Sequence, residues 1–476
     1  MPPLKLGLST GAVALTCLAI AVAPRLAHTS PADLIGVDAR DVGQAVPIAT
    51  ATTPSGATLN APAMLVRLAD QLTISIIASG GGNLVKRHAR PAGYDIDDSI
   101  YSARASDPNI RLTALATADL PTGSRTTNLD EELLLVISNV RRIADWASVG
   151  VVLAVPIASQ IAPSTFYADE REAYFSNSVH LALLQDDRNA SVIAFGAGFA
   201  ATPALSLGLG AQLLVGAAPG ASVYVPNALE PAVNESNTTL ALAPSVVPVA
   251  SAQYDLTPSL AVVGSLRLRS AQKVRGTTQI RLWAPADNPI ALSAQDLRFD
   301  IDSQPLRGAL GLRYAQGDLV LAAEGVMRRG ADFRDQHGEA PIIPFRNSWE
   351  FGAHATALAL GNTFDAGVRY VRSPVPAQVG RENHADADRV VIGTAVTRVM
   401  ARGKVVASLG LAAHRLRHRR ETKDLSALVD EYPDSIDISN DPIAASAGLQ
   451  TNNPGFPGYT VGGWIGALAL TITVTP

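Results

Sequence analysis

The sequence is poor in charged and aromatic residues and contains a single cysteine. Charged side chains make up 17% of the 476 residues, below the roughly 25% that is usual in soluble domains, and aromatic side chains make up 5%. Disulfides cannot hold the chain together, because Cys17 has no second cysteine to pair with, so a hydrogen-bonded framework must do so. The net charge of −4 and the lack of a basic stripe argue against a nucleic-acid partner.

Long apolar runs are also missing after residue 30, so the rest of the chain cannot cross a bilayer as a helix. Before that point, Lys5 precedes an apolar stretch over residues 6–23, and A-x-A triplets lie at 19–21 and 21–23. This pattern is typical of a secretory signal peptide. We therefore expect residues 1–27 to be removed, with an uncleaved anchor helix as the alternative.

Alternation of apolar and polar residues is what the chain has in abundance. In SLAVVGSLRLRS, residues 259–270, Leu260, Val262 and Leu266 share one face of a strand, and Ser265 and Arg267 share the other. An arginine that faced the bilayer midplane would cost about 2–4 kcal/mol, whereas a polar lumen accepts it. About fourteen or fifteen segments alternate in this way, which predicts an all-β transmembrane antiparallel barrel of about 14 strands.

The connections between these segments differ in length in a regular way. One set of connections consists of tight turns, and the other set consists of long, polar or proline-rich loops. Short turns at one end and long loops at the other are typical of outer-membrane barrels. The predicted turns are 201–204, 255–258, 316–318, 360–363 and 400–403, and the long loops are 218–238, 284–304, 329–347, 374–387 and 419–460.

One segment, 128–146, has helical rather than strand spacing. Leu133, Ile137 and Val140 recur at intervals of three and four, and Asn128 with Glu131 forms a plausible capping pair. We expect a short amphipathic helix in an extracellular loop. Packing against the barrel rim is the favoured role for this helix. Contact with a ligand groove through Leu133, Ile137 and Val140 is the other.

Three stretches resemble the FadL family of outer-membrane transporters of hydrophobic compounds, which includes toluene-uptake relatives. The first is 245–280, with an aspartate-containing proline turn, a strand that ends in an arginine-serine pair and a Val-x-Gly step. The others are 347–376, a hairpin followed by a Ser-Pro loop, and 384–396, an Asp-x-Asp-Arg strand entry. The matching residues of the first stretch are Tyr254, Pro258, Arg269, Ser270, Val274 and Gly276.

The resemblance implies an N-terminal hatch over residues 28–70, inside a barrel that spans 71–476. The family's Asn-Pro-Ala element corresponds here to Asn60, Pro62 and Ala63, with Ala61 inserted. It further implies a monomer in the bacterial outer membrane, surrounded by lipid, that takes up a hydrophobic small molecule such as a long-chain fatty acid. Passive uptake through an apolar pocket needs neither a cofactor nor a catalytic group.

No catalytic or metal-binding constellation stands out in the sequence. His414 and His418 lie four apart in HRLRHRR, residues 414–420, but on a strand this spacing is not the helical zinc pair. The run more plainly indicates a basic barrel rim. Two alternatives to the transporter remain open: another outer-membrane barrel, either a porin or a lipase-like enzyme, and a secreted soluble β-sandwich binding protein.

Overall fold

Antiparallel strands make up most of the described chain. The computed structural model describes residues 35–88, 126–158, 191–215, 234–242, 245–284, 288–291, 295–333, 340–341, 343–379, 383–423 and 458–475. Within these ranges there are twenty strands, and sixteen of them form one sheet. In chain order they are β1 Gln71–Arg87, β2 Thr126–Ala144, β3 Ala147–Ala158, β4 Ser191–Ala200, β5 Leu205–Val215, β6 Asn234–Leu242, β7 Ser245–Thr257, β8 Leu260–Arg267, β9 Ser270–Ala284, β10 Asn288–Ala291, β11 Gln295–Gln304, β12 Arg307–Gln316, β13 Leu319–Arg328, β14 Ser348–Ala359, β15 Asn362–Val371, β16 Arg389–Met400, β17 Val405–Leu416, β18 Arg419–Thr422, β19 Gly458–Val461 and β20 Trp464–Val474.

The large sheet closes on itself as a barrel. Fourteen of its described strands, all but β18 and β19, go round the barrel, and β1 pairs with β20 from Leu72–Val474 to Gly82–Trp464. A closed sheet leaves no edge whose backbone groups lack hydrogen-bond partners, which is the condition for crossing a bilayer with strands. The prediction of a barrel of about 14 strands is confirmed.

The outer surface of the barrel is apolar and the inner surface carries the polar side chains. On β8, Leu266 is 44% exposed whereas its neighbour Arg267 is 2% exposed and faces the lumen. Arg269 follows the end of β8 and is exposed at the rim, so both arginines avoid the bilayer as predicted. Lipid is the environment that accepts such an exterior. Other exposed outward side chains include Leu209, Leu310, Phe351, Ile392, Leu411 and Leu468.

Short turns lie at one end of the barrel, which we call the turn end, and longer connections lie at the loop end. Gln316 pairs with Leu319, and Ala359 pairs with Asn362, so these hairpins turn within two residues. The second of them places Leu360 and Gly361 at φ 52° and 71°, the left-handed pair that suits the twist of a two-residue hairpin. All five predicted tight turns connect adjacent barrel strands, three through two residues and two through four.

The helix predicted over 128–146 is wrong, because the structure has strand β2, Thr126–Ala144, in its place. Leu133, Leu135 and Ile137 point outward, whereas Leu134 and Val136 are buried on the inner side. Both faces of this strand are aliphatic, so the alternation that marks a half-polar strand disappears from the sequence. A tight turn at residues 145–146 then leads into β3.

A second, smaller sheet contains β6, β9, β10 and β11, with β9 in its middle. It lies in the chain between β5 and β12, on long connections of the loop end. Among the described residues, no helix is both long enough and apolar enough to span a membrane.

Residues 35–68 precede β1 and form what we call the luminal segment. It contains helix α1, Ala39–Gly43, helix α2, Pro54–Asn60, and a 3-10 helix, Pro62–Arg67. Its side chains are almost all buried. Its contacts are with the inner faces of strands on both sides of the barrel, so the segment lies across the lumen.

Candidate functional site: the barrel lumen

Side-chain caps hold the two helices of the luminal segment together. The Asp38 carboxylate accepts hydrogen bonds from the N–H groups of Arg40 and Asp41, both at 3.0 Å, and begins α1. Thr53 caps α2 by accepting from the Gly56 N–H at 3.1 Å, and its hydroxyl donates to Asp41 Oδ1 at 2.8 Å. The Thr53–Asp41 bond therefore joins the start of α2 to the first turn of α1.

Asp38 and Asp41 are a buried pair of carboxyl groups in this segment. Burial raises the pKa of Asp41 well above its ordinary value, and the nearby charge of Asp38 raises it further. Burial also raises the pKa of Asp38, against the lowering effect of the Asp41 N–H that donates to it. Protonation of one carboxyl group of the pair relieves the repulsion between them.

Charged side chains of β13, β14 and β15 bind the middle of the luminal segment through hydrogen bonds and ion pairs. Glu324 accepts hydrogen bonds from the Ile48 N–H at 2.8 Å and from the Thr50 N–H at 3.0 Å. Arg369 pairs with Glu324 and, at 2.9 Å, with Glu350. We call the five inward-facing charged residues of these strands the ionic cluster; they are Glu324, Arg328, Glu350, Asp365 and Arg369.

The ionic cluster also holds a strained turn. Ala45 and Val46 both have positive φ, 57° and 62°, a conformation that costs non-glycine residues about 1–3 kcal/mol each. Arg369 Nε donates to the Ala45 carbonyl at 2.9 Å. Asp365 receives two hydrogen bonds from Arg40, at 2.9 and 3.1 Å, so the chain on the N-terminal side of the turn is also fixed to the wall.

The barrel holds the second half of the luminal segment, where the predicted hatch residues lie, through hydroxyl and amide groups together with two charged residues, Arg307 and Asp255. Asn60 ends α2, and its side-chain oxygen accepts from Arg307 on β12. Pro62 opens the 3-10 helix, and the Ala63 N–H donates to the Ser251 hydroxyl at 2.7 Å. The three residues are thus brought together against the wall of the barrel.

Glycines in the wall let the luminal segment come close to the strands. A methyl group on Gly208 would lie 2.0 Å from the Ala63 nitrogen, and one on Gly410 would lie 2.1 Å from the Ala39 carbonyl oxygen. Both distances are far below van der Waals contact. Glycine is the residue that a strand needs where another backbone approaches it.

The inner wall becomes apolar towards the loop end, where it shares a buried cluster with Ile35, Val37 and Leu59 of the luminal segment. Here the inward-facing side chains of β1–β5 and β7 are aliphatic and belong to one buried cluster. Nearer the turn end, the same strands present serine, glycine and glutamine, such as Ser138 and Gln212. We call the apolar set the aliphatic wall; it consists of Leu84, Leu134, Val136, Val152, Ala154, Val192, Ala194, Leu214 and Val247.

The residues predicted to form a ligand-groove helix are separated by their positions on β2. Leu133 and Ile137 lie on the outer face, and Val140 is buried on the inner face near the turn end. Their neighbours Leu134 and Val136 are the ones that belong to the aliphatic wall. The sequence did carry a signal for the ionic cluster, because Asp365 and Arg369 lie on the polar face of an alternating strand.

No protein-family model matches the sequence, and no curated protein matches it. Solved structures match over nearly the whole chain. A Pseudomonas aeruginosa FadL homologue has a TM-score of 0.52 at 13% identity, over 95% of this chain and 100% of that chain. The toluene transporter TbuX of Ralstonia pickettii has a TM-score of 0.50 at 12% identity, over 93% and 99%. The chain has the FadL-family fold.

A third structure with this fold is a TodX deltaS2S3 mutant, described as a monoaromatic hydrocarbon channel, with a TM-score of 0.52 at 12% identity, over 93% of this chain and 100% of that chain. At such low identity the likeness concerns the fold. Together with the closed barrel and its apolar exterior, this fold indicates the bacterial outer membrane as the location of the protein.

Proposed function

We propose that the protein is an outer-membrane channel for the passive uptake of hydrophobic compounds. The aliphatic wall is the observation that carries this proposal. A water-filled pore is lined by polar groups, whereas inward-facing leucine and valine on six strands provide a surface that an apolar molecule can use. Burial of such a ligand contributes about 25 cal/mol per Å² of apolar surface.

The comparisons support the same class of ligand. The similar structures are a FadL homologue, a toluene transporter and a monoaromatic hydrocarbon channel. We extend to this chain the coarse property that the last two descriptions share, passage of hydrophobic molecules, and name a long-chain fatty acid as the first ligand to test. In this proposal the protein is a monomer surrounded by membrane lipid and catalyses no reaction.

In the proposed mechanism the luminal segment is the gate. A ligand on the aliphatic wall would lie on the loop side of α2 and the 3-10 helix, so its path to the turn end is blocked while these helices stay in place. Asn60, Pro62 and Ala63 lie at this point of the segment, where Asn60 is hydrogen-bonded to Arg307 and Ser265 and the Ala63 N–H donates to Ser251. Their displacement from β7 and β12 would open the path.

The test begins with full-length protein purified in detergent. Compounds that co-purify are extracted and identified by mass spectrometry, and the binding of radiolabelled oleate and of toluene is then measured. The proposal predicts a bound hydrophobic compound and saturable binding. Recovery of no such compound, together with a large ion conductance in planar bilayers, would favour a porin instead.

Matched substitutions show which wall takes the ligand. The double variant Val152→Ser/Val192→Ser makes the aliphatic wall more polar, and Val391→Ser makes the same change at a buried inward position of β16 on the opposite side. The double variant should weaken ligand binding by roughly tenfold or more, given the loss of apolar contact. The control should bind like the original protein, and equal effects of the two would contradict the assignment.

A further inference from the structure

The loop end of the barrel carries a cluster of arginines on the outer surface of β15 and β17. Arg372 follows the end of β15, and Arg417 follows the end of β17. Both are exposed and both continue the outward-facing series of their strands, as does Arg415. The basic rim that the run 414–420 predicts is therefore present, although His414 itself is buried on the inner side.

Strand register places these arginines next to each other. The Arg417 N–H donates to the Asp388 carbonyl at 2.8 Å, and Val371, just before Arg372, pairs with Arg389, just after Asp388. Arg372 and Arg417 therefore flank Asp388 at the same level of the barrel. Neighbouring strands are about 4.8 Å apart, so the two arginine backbones are about 10 Å apart, a distance that two arginine side chains can close around one anion.

A cleft lies between these side chains. It has a volume of about 410 Å³, and Arg346, Arg372, Arg417 and His418 line it together with Ser373 and Asp388. Asp388, the carboxylate of this set, is already engaged, because it accepts from the Ser373 N–H and the Tyr370 hydroxyl, both at 2.9 Å. Positive charge thus exceeds negative charge in the cleft.

The arginines of the cleft differ from others at the same rim. Arg269 and Arg329 both lie within 4 Å of the Asp332 carboxylate, at 3.9 and 3.8 Å. In contrast, Arg346, Arg372 and Arg417 form no ion pair with any carboxylate of the described ranges. Three unpaired guanidinium groups so close together favour an anionic partner that is not part of the protein.

The outer surface of the barrel next to the cleft indicates the height of the cleft relative to the membrane. One step nearer the turn end, strand register forms a row of outward-facing residues that is largely aromatic. Its members are Phe351, Tyr370, Val390, Arg415 and Trp464, each paired with the next across the sheet. Exposed aromatic side chains mark the level at which a barrel passes from hydrocarbon to headgroups. An anion in the cleft is thus at headgroup height.

We propose that the cleft formed by Arg346, Arg372 and Arg417 binds the phosphate group of an outer-leaflet glycolipid, whose acyl chains lie against the aromatic row. Arginine presents paired N–H donors to phosphate oxygens, and each cation near a membrane surface adds to the attraction of an anionic lipid. This site is on the outside of the barrel and is independent of uptake through the lumen.

The experiment uses the full-length protein in detergent and measures binding of diphosphorylated lipid A by native mass spectrometry. The variant is Arg372→Ser/Arg417→Ser, and the matched control is Arg398→Ser, an exposed outward arginine at the turn end of β16. The double variant should bind lipid A roughly tenfold to thirtyfold more weakly. The control should leave binding unchanged, and Arg372→Lys/Arg417→Lys should retain most of it.

Additional binding measurements identify the molecule that supplies the phosphate group. Dephosphorylated lipid A should bind as weakly to the original protein as lipid A does to the double variant. Equal binding of both lipids, or equal loss in Arg398→Ser, would overturn the proposal. Inorganic phosphate that bound as tightly as lipid A would also overturn it, because the site would then serve a free anion. A heat-shift gel establishes that each variant is a folded barrel.

Discussion

The two sides of the lumen hold the same segment by different means. On the side of β13–β15, buried charges grip residues 40–50 through the ionic cluster. On the side of β1–β5 and β7, residues 55–63 are held by glycine close approaches and by hydroxyl or amide hydrogen bonds, and a partly exposed ion pair joins Arg67 to Asp255. A hydrogen bond to a charged group contributes about 1.5–3 kcal/mol, whereas one between neutral groups contributes about 0.5–1.5 kcal/mol. We infer that the first half of the luminal segment is the fixed half and that the second is the releasable one.

The largest effect is expected from Glu324→Ala. This change leaves the Ile48 and Thr50 N–H groups without their acceptor and removes a partner of buried Arg369. Breaking one partner of a buried ion pair costs about 3–5 kcal/mol. Hydrogen–deuterium exchange of residues 46–52 should become much faster. The double variant Glu324→Ala/Arg369→Ala should recover part of the loss, since it removes the orphaned charge. No change in exchange would mean that the ionic side does not hold the segment.

Gly208→Val should act on the opposite side of the lumen. Its side chain would occupy space that the 3-10 helix backbone now fills, and overpacking typically costs about 1–3 kcal/mol. Exchange at residues 61–68 should rise while that at 46–52 stays slow. The control is Gly264→Ala, which adds a methyl group where the nearest atoms are 4.0 Å away. Equal effects at both ends of the segment would show that its two halves are not separable.

Asn60→Ala tests a hydrogen bond between the releasable half and a charged side chain of the barrel wall. It deprives Arg307 of the Asn60 side-chain oxygen, and the loss of a partner by a buried polar group costs about 1–3 kcal/mol. Ser55→Ala, which removes the hydroxyl bond to Ser138 at the other end of α2, is the matched control. Uptake of a hydrophobic ligand should accelerate more in Asn60→Ala than in Ser55→Ala. The reverse order would contradict the role given to Asn60.

The smallest effect is a pH dependence of the fixed half. In the native protein, burial raises the pKa of Asp41 well above its ordinary value of 3.8, and the charge of Asp38 raises it further. The native state therefore binds this proton more tightly than the released state. The stabilisation is complete below the ordinary pKa and is lost as pH rises through the raised pKa. Exchange of residues 38–44, corrected for its intrinsic pH dependence, should be slower at about pH 5 than at about pH 8. Asp41→Asn should remove this difference, and a dependence that persists in that variant would have another origin.

Much of the barrel could be predicted from sequence, because lipid imposes a period of two on any strand with a polar inner side. β8 and β15 are of this kind, and their inward arginines made the assignment clear. The sequence of β2 predicts a helix instead, because its inner face belongs to the aliphatic wall. Leu134 and Val136 are as apolar as the outward residues, so apolar and polar residues do not alternate along this strand. The incorrect helix prediction therefore concerns β2, a strand of the candidate ligand path.

The candidate site was harder to predict than the barrel. Asn60, Pro62 and Ala63 were found through the family resemblance, and their contacts with Arg307 and Ser251 join residues about two hundred positions apart in the chain. A one-dimensional pattern does not record which strands meet across a lumen. Glu324 and Arg369 could have been singled out as charged residues within membrane-spanning strands, but their grip on residues 45–50 depends on tertiary structure.

The most direct test of the account is a comparison of two permeants in vesicles that contain the purified protein. Entry of a labelled hydrophobic compound and entry of a small polar solute are measured side by side, with protein-free vesicles as the baseline. The account predicts faster entry of the hydrophobic compound and no increase for the polar solute. Rapid entry of the polar solute without an increase for the hydrophobic compound would contradict it.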